Sequence, residues 1–498
     1  MNPPSPEFQT DIAKLRRLMQ AEDFHQAATV GMALSREAPD QSEVWRLLSQ
    51  AHDRLGNYGL SLMALERFVM HEPEEIDARA WLVRGNLMMG RSQQVEDEQA
   101  RLQELIRKKP QLGTDKFRRR STIDLVEGYL RLGKTDEARQ QLESLERRGV
   151  KGPRLMMMDA MTDIADRNHE QAIPKLRLII GTKNFPKGTR IQAQFELAKI
   201  LDREGQYEEA IGLVSEAKSD PELNLKPFDR EAYCKMTDRL IAAFSRERMR
   251  SMQSSGLGSQ RPVFVVGMPR SGTTLTEQII SAHSQCSGIG EQREPIIFSQ
   301  LLADQLNEEF PECASRASNE QLQGFGSAYL EMLDHYAPNF ERVTNKALGL
   351  ERILGLLGMV LPGSRIVFVS RNPLDNVLST YMHSMNQNHY PWSRRLEDIA
   401  LVRAEFDRLL DHWREHLDLP MFDFKYDELT EGPEPVIRSL IEFLGLPFEN
   451  DCLRFHEQKR LVMTPSFDQV NRPVNREAVN RWKNYESHLQ DVVNLFPT

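Results

Sequence analysis

The sequence has few cysteines and no long apolar run. Its four cysteines (Cys234, Cys286, Cys313 and Cys452) are far apart and form no CxxC pair, which argues against a zinc site or a disulfide framework. Free thiols are typical of a reducing cytoplasm. No apolar stretch approaches the roughly 20 residues that cross a bilayer, and the N-terminus lacks the basic-then-apolar order of a secretory signal. We therefore expect a cytoplasmic protein with no membrane partner.

The sequence also lacks an excess of positive charge. Its formal net charge is -9, which argues against a general nucleic-acid partner while leaving room for a local basic pocket. The chain has 498 residues, of which 40% are hydrophobic, so we expect a globular protein of two or three domains.

The first part of the chain, residues 1–220, has few strand-like runs and many helical ones. Pro39 and Pro73 lie 34 residues apart, and large and small residues recur around them at matching positions. Those residues are Phe24, Ala27, Trp45, Gly56 and Tyr58. The pattern returns at "DREGQYEEAIGLVSEA" with Gly205 and Ala210. An irregular helical domain with accidental periodicity is the alternative.

This spacing resembles the tetratricopeptide repeat, which implies an all-α solenoid whose small residues let paired helices approach closely. Such an array can hold a peptide or protein, form a homodimer, or brace the rest of the chain. Residues 221–260 read as a helical linker that ends in the loop "SSGLGSQRP".

The remainder, residues 261–498, alternates strands with helices. "PVFVVG", "RIVFVS" and "MFDFKY" are each followed by an amphipathic segment. This alternation predicts an α/β domain with a mainly parallel sheet. Ligands of such sheets bind at the carboxyl ends of the strands, so the loops that follow these strands are the candidate sites.

The first loop lies in "VFVVGMPRSGTTL". Gly267 and Gly272 let the backbone curl, so that the amides from Ser271 to Thr274 face an anion at a helix N-terminus. The two threonine hydroxyls and the Arg270 guanidinium add donors. A triphosphate-binding P-loop carries lysine where this chain has Thr273, and its absence argues against ATP hydrolysis and a P-loop kinase.

The second loop is "VFVSRNPLDNVLSTYM". Arg371 directly follows the strand, and Ser379 lies two helical turns later. Arginine can make paired hydrogen bonds to a phosphate, and the serine hydroxyl can add one more.

Together, "PRSGTT" and "SRNPLDNVLS" resemble the two phosphate-binding elements of sulfotransferases that use 3′-phosphoadenosine-5′-phosphosulfate (PAPS). The resemblance implies that the first loop holds the 5′-phosphosulfate, and that Arg371 and Ser379 hold the 3′-phosphate. The likeness is closer to tyrosylprotein sulfotransferases and continues through "TNK" (Lys346), "FKYDEL" (Tyr426), and "SFDQVNRPVN" with the following "RW" (Ser466 to Trp482). The helical half resembles that of bacterial tetratricopeptide-containing sulfotransferases.

The resemblance also implies roles for single residues. Arg270, Lys346 and Ser466 assist the transferring group, Tyr426 contacts the donor, and Arg481 lies near the 3′-phosphate. The base that takes the acceptor proton falls in "GIGEQREP". There an ungapped count assigns Glu291, a one-residue gap assigns Gln292, and Glu294 is the reserve candidate. The polar and aromatic segment His383–Ser393 offers a wall for the acceptor and histidines as alternative bases.

The sequence thus predicts an all-α tetratricopeptide solenoid followed by an α/β, P-loop-like sulfotransferase domain. The expected reaction moves the sulfuryl group of PAPS to an acceptor hydroxyl, best a tyrosine of a peptide or protein, leaving PAP and using no metal. Two alternatives stay open: a carbohydrate or small-molecule acceptor, and a tetratricopeptide scaffold whose nucleotide-binding domain is inactive.

Overall fold

A computed structural model gives the fold of the chain. It describes residues 6–496 except 56, 89–90, 109–122, 124–125, 131–132, 148, 221–226, 253–255, 388 and 458–471. The chain forms two compact units, the first ending at Thr189 and the second beginning at Arg190.

The first unit is built from helices. Its helices are α1 (Pro6–Gln20), α2 (Phe24–Glu37), α3 (Ser42–Arg54), α4 (Tyr58–His71), α5 (Ile76–Met88), α6 (Ser92–Lys108), α7 (Thr135–Arg147), α8 (Pro153–Ala165) and α9 (His169–Gly181). Helices α2, α4 and α6 begin at Phe24, Tyr58 and Ser92, which are 34 residues apart. Helices α7 and α9 keep the same spacing. The predicted all-helical, tetratricopeptide-like region is confirmed.

Small buried residues explain how these helices pack so closely. Ala27 is fully buried in a core that includes Leu15 and Val44. A Cβ atom on Gly31 would lie 3.0 Å from a methyl carbon of Leu48, so the backbone of α2 rests directly on α3. This close approach is the packing that the small residues of the repeat predict.

The second unit begins at Arg190, near the start of helix α10 (Lys187–Arg203). It continues with α11 (Tyr207–Ser219), α12 (Arg230–Ala243) and α13 (Arg246–Met252). The repeat signature in the sequence runs to residue 220, whereas the two compact units divide within α10. Helix α11 therefore packs in the same unit as the sheet.

A five-stranded parallel sheet forms the centre of the second unit. Its strands are β1 (Pro262–Gly267), β2 (Cys286–Gly288), β3 (Arg342–Asn345), β4 (Arg365–Ser370) and β5 (Met421–Lys425), in the order β2-β3-β1-β4-β5. Every residue of β1 is buried, as expected of a central strand covered on both faces. The predicted strands β1, β4 and β5 and the parallel sheet are confirmed, whereas β2 and β3 were not predicted.

Helices follow or connect the strands. They are α14 (Thr273–Ser281), α15 (Glu294–Leu306), α16 (Asn319–Tyr336), α17 (Leu354–Val360), α18 (Pro373–Tyr381), α19 (Leu396–His416), α20 (Tyr426–Glu431), α21 (Pro433–Phe443) and α22 (Glu486–Val493). Because all five strands are parallel, the loops that follow them meet at one edge of the sheet, where most of the predicted site residues lie.

Candidate active site

The loop between β1 and α14 is tightly curled. Gly272 has φ 112° and Arg270 has φ 65°, so two of its residues are left-handed. A Cβ atom on Gly267 would lie 2.5 Å from the Ser271 hydroxyl oxygen and 2.8 Å from the Val369 carbonyl oxygen, so only glycine fits there. A non-glycine residue in the left-handed region is strained, and such strain concentrates at functional sites.

The start of α14 collects buried hydroxyl groups. Ser271, Thr273 and Thr274 are all less than one-tenth exposed. Within the described residues, the Ser271 hydroxyl oxygen is buried and has no hydrogen-bond partner. An unsatisfied hydroxyl beside a helix N-terminus suits an anion that would accept a hydrogen bond from it.

The second loop brings Arg371 against the first. Its Nη1 donates a 3.3 Å hydrogen bond to the carbonyl oxygen of Arg270, and its Nη2 donates to that of Ala478. The guanidinium carbon lies 5.1 Å from the centre of the Tyr426 ring. In the described part of the chain, the buried Arg371 Nε has no partner, which leaves a donor for a ligand.

Arg270 and Ser379 also meet, with 3.3 Å between the Nε and Oγ atoms. Burial, together with the neighbouring charge of Arg371, lowers the pKa of Arg270 to about 10. Two arginines near one another repel, so bound negative charge would stabilise this part of the protein.

Helix α18 holds the first loop in place. Its Asn376 side-chain amide and Thr380 hydroxyl donate to the carbonyl oxygen of Pro269 across 2.8 and 3.2 Å. The Asn372 side chain caps the start of the helix, and its backbone amide donates to the Asp427 carboxylate at 2.8 Å. The first and second loops are therefore one connected structure.

Asp375 ties the C-terminal segment to this helix. Its carboxylate accepts hydrogen bonds from the backbone amides of Asn480 (2.7 Å) and Trp482 (2.9 Å). The intervening Arg481 forms an ion pair with Asp202, and burial lowers the pKa of its guanidinium. Arg481 thus lies beside the second loop, with its charge directed to α10.

Lys346 follows β3 and points toward the candidate base. It is 3% exposed, and its Nζ donates a 2.8 Å hydrogen bond to the Glu291 carboxylate, which is 49% exposed. Its backbone amide donates to the carbonyl oxygen of Gly290 at 2.9 Å. The structure therefore brings together a buried cation and an accessible carboxylate.

A buried glutamate, Glu277, holds the loop after β2 by hydrogen bonds. The Glu277 carboxylate accepts hydrogen bonds from the Gly290 amide (3.0 Å) and the Thr344 hydroxyl (3.2 Å). A Cβ atom on Gly288 would lie 2.7 Å from Glu277, so this approach needs glycine. Sequence reasoning missed Glu277 because nothing in "TTLTEQIIS" distinguishes it from a surface residue.

Glu294, the reserve candidate, is the first residue of α15 and is buried. Burial raises the pKa of its carboxyl group to about 7, and the Arg293 charge opposes that rise. In the described residues its Oε2 atom has no hydrogen-bond partner. A buried carboxyl group with such a pKa is a proton donor or acceptor near neutral pH.

The structure assembles most of the predicted residues along one edge of the sheet. Ser466 lies outside the described residues. Among the described residues no group of three or more His, Cys, Asp or Glu side chains could hold a metal ion. No helix of that part of the chain is long and apolar enough to cross a membrane.

Comparisons with known proteins find similarity to sulfotransferases. The model of the sulfotransferase family matches residues 262–450. A zebrafish (Danio rerio) protein-tyrosine sulfotransferase 1 is 24% identical over 235 residues, which are 44% of this chain and 65% of the relative. An uncharacterized protein of Aquifex aeolicus is 30% identical over 336 residues, which are 66% of this chain and 44% of that protein.

The chain thus spans less than two thirds of the length of both relatives. Among solved structures, the sulfotransferase domain of the curacin biosynthetic pathway covers 48% of this chain and is itself covered to 98%. It has 17% identity and a TM-score of 0.36.

Proposed function

We propose, from the premise that residues 262–450 are a domain of the sulfotransferase family, that the protein moves the sulfuryl group of PAPS to an acceptor hydroxyl. The observation that carries this proposal is the pairing of two arginine-bearing loops. Arg270 and Arg371 lie on adjacent loops beside an unsatisfied Ser271 hydroxyl, and Thr273 replaces the lysine of a triphosphate site. A donor with two separate anionic ends complements this charge pattern.

Each end of PAPS has a set of donors. The backbone amides and hydroxyls from Ser271 to Thr274, with Arg270, suit the 5′-phosphosulfate at the start of α14. The Arg371 Nε and the Ser379 hydroxyl suit the 3′-phosphate. Asp375 of the same helix as Ser379 holds the backbone on either side of Arg481. Tyr426 packs against both Gly272 and Arg371 and completes the wall of this region.

The chemical step requires positive charge on one side and a proton acceptor on the other. The acceptor oxygen forms a bond to sulfur, the bond from sulfur to the phosphate oxygen breaks, and PAP leaves. Arg270 and Lys346 stabilise the charge that grows on the leaving phosphate oxygen. Ser466, which lies outside the described residues, keeps the role that the resemblance implies, namely assisting Lys346.

Glu291 takes the acceptor proton in this proposal. Its carboxylate is accessible to an incoming hydroxyl, and the 2.8 Å bond to Lys346 fixes it beside the transferring group. Glu294 stays the alternative because its pKa of about 7 also suits proton transfer.

We further propose that the acceptor is a tyrosine of a peptide or protein and that the helical repeats hold it. The first unit contains a groove of about 440 Å³. Its lining includes Glu43, Phe68, Glu72, Glu75, Asp77 and Trp81. A chain segment carrying a positive side chain would complement these carboxylates and the Trp81 ring. A homodimer, a cytoplasmic setting and the absence of a nucleic-acid partner remain parts of the proposal.

The test is transfer of ³⁵S-labelled sulfate from PAPS. The purified protein is incubated with labelled PAPS and either a peptide that contains one tyrosine or 4-nitrophenol. We expect label to enter the acceptor at a rate proportional to the protein concentration. Label in a carbohydrate fraction of a lysate, with none in either phenol, would assign the other acceptor class. Trp81→Ala is expected to slow transfer to a protein acceptor and leave 4-nitrophenol unaffected.

A further inference from the structure

The segment that follows α18 borders both halves of the candidate active site. Burial lowers the pKa of His383, and the charge of Arg270 in the loop after β1 lowers it further. Burial also lowers the pKa of His389, six residues later. The charge of Arg293, in the loop of the candidate base, adds to this second effect. The segment also directly follows Thr380, whose hydroxyl donates to the carbonyl oxygen of Pro269 in the loop after β1 at 3.2 Å. It therefore borders that loop.

Both ends of the segment are held by one helix, α11. The Ser215 hydroxyl and the Tyr381 hydroxyl are 2.8 Å apart and share a hydrogen bond. At the other end, the Lys218 Nζ donates a 2.5 Å hydrogen bond to the carbonyl oxygen of Ser393. The same Nζ lies 5.0 Å from the centre of the Tyr381 ring, so one side chain contacts both ends.

Lys218 occupies a position that would ordinarily favour an apolar residue. It is 2% exposed, and among the described residues it forms no ion pair with a carboxylate. The Nζ atom also lies 5.8 Å from the centre of the Phe195 ring. Burial lowers the pKa of its ammonium group to about 7, a sign of the desolvation cost. Helix stability alone gives no reason for a lysine there.

We infer that Lys218 and Ser215 are positioning residues for the acceptor: they fix the two ends of the segment from Tyr381 to Ser393 against the active site. This inference rests on the proposed function, because it assigns the segment to the acceptor side of the transfer. A helix at the end of the repeat region thereby sets the geometry at which an acceptor meets the donor.

Hydrogen exchange tests, without an acceptor, whether Lys218 holds the segment in place. Lys218→Met keeps the volume of the side chain and removes its hydrogen bond. We expect amide exchange in residues 382–393 to accelerate about tenfold, the loss of one buried hydrogen bond. Exchange in the phosphate loop, residues 267–275, is expected to stay unchanged. Equal exchange of residues 382–393 in both proteins would overturn the inference.

Two further variants make the comparison specific. Lys235→Met makes the same substitution at an exposed lysine of α12 and is expected to change neither measurement. Ser215→Ala removes only the hydrogen bond to Tyr381 from a half-buried position. It tests whether α11 holds the segment even if Lys218→Met fails to fold. Unchanged exchange near Tyr381 in a folded Ser215→Ala protein contradicts the role of Ser215.

Steady-state kinetics with ³⁵S-labelled PAPS and the tyrosine peptide test whether the segment positions the acceptor. For Lys218→Met we expect the KM for the peptide to rise about tenfold, while the Kd for PAP stays within experimental error. An unchanged peptide KM and kcat, with normal transfer by the parent protein, contradicts the inference alone. No transfer by the parent protein to either phenol contradicts the proposed acceptor instead, and the exchange experiment then still decides the role of Lys218.

Discussion

The Lys346 ammonium group lies 2.8 Å from the Glu291 carboxylate and joins the loops that follow β3 and β2. The lysine is buried and the carboxylate is half exposed, so the pair has one side fixed in the protein and one side open to an acceptor. In the proposed reaction, Lys346 is the cation for the leaving group and Glu291 is the base for the nucleophile, and one hydrogen bond joins them.

Glu291→Ala is expected to retain PAP binding and to lose transfer. Removal of a general base typically lowers kcat by about 100- to 10,000-fold, and the donor contacts are made by other residues. Titration calorimetry with PAP and labelled-sulfate turnover give the two readouts. Glu294→Gln, measured in parallel, separates the two candidate bases. Full turnover by Glu291→Ala together with loss in Glu294→Gln would reassign the base to Glu294.

Arg371→Ala is expected to weaken PAP binding by about 10- to 100-fold, the effect of losing charge-assisted hydrogen bonds to a phosphate. Adenosine 5′-phosphosulfate, which lacks the 3′-phosphate, should bind both proteins equally. The control is Arg454→Ala, an exposed arginine paired only with Asp451 within the described residues. An unaltered PAP affinity in Arg371→Ala would remove Arg371 from the 3′-phosphate site.

Gly272→Ala is expected to disturb the phosphate loop. The residue has φ 112°, and its Cβ atom would lie 3.0 Å from the Tyr426 ring. We expect weaker PAP binding and a lower Tm. Gly324→Ala is the matched control, because Gly324 lies in α16 with open space around the added carbon. A helical glycine replaced by alanine should gain about 0.5–1 kcal/mol of stability. Identical behaviour of both variants would contradict the tight loop.

The pH dependence of stability follows from Glu294. Its pKa is 4.5 when exposed and about 7 when buried, so the folded protein favours the protonated form. The stabilisation that protonated Glu294 gives the folded protein is fully present below pH 4.5. It is lost as the pH rises through 7, which lowers the free energy of unfolding by about 3 kcal/mol in all. Glu294→Gln should therefore match the parent near pH 4.5 and exceed its Tm at pH 8.

The control for this titration is Glu331→Gln, an exposed glutamate of α16, which is expected to leave the pH profile of stability unchanged. A difference between Glu294→Gln and the parent that stays constant from pH 4.5 to 8 would show that Glu294 does not titrate in this range.

Sequence reasoning reached the central strands and the curled loop after β1 because their signals are local. Strand β1 is continuously apolar, and Gly267 and Gly272 follow it at the spacing that a curled loop needs. It did not find β2 or β3, which have three and four residues and therefore too few side chains to form a pattern.

The supporting contacts of the site were beyond sequence reasoning for a different reason. Glu277, Asn376 and Asp375 act through backbone groups that are distant in the chain, and only the packing of α14 and α18 brings them together. The ion pair of Arg481 with Asp202 has the same cause, since the partner lies in a helix outside the family pattern.

The most direct test of the central claim is the choice between two nucleotides. A site for a donor with two separate anionic ends, lacking the P-loop lysine, should bind PAP and not ATP with Mg²⁺. We expect PAP to raise the Tm and to give a saturable calorimetric titration, while ATP with Mg²⁺ gives neither. Equal stabilisation by ATP with Mg²⁺ would contradict the assignment of PAPS as the donor.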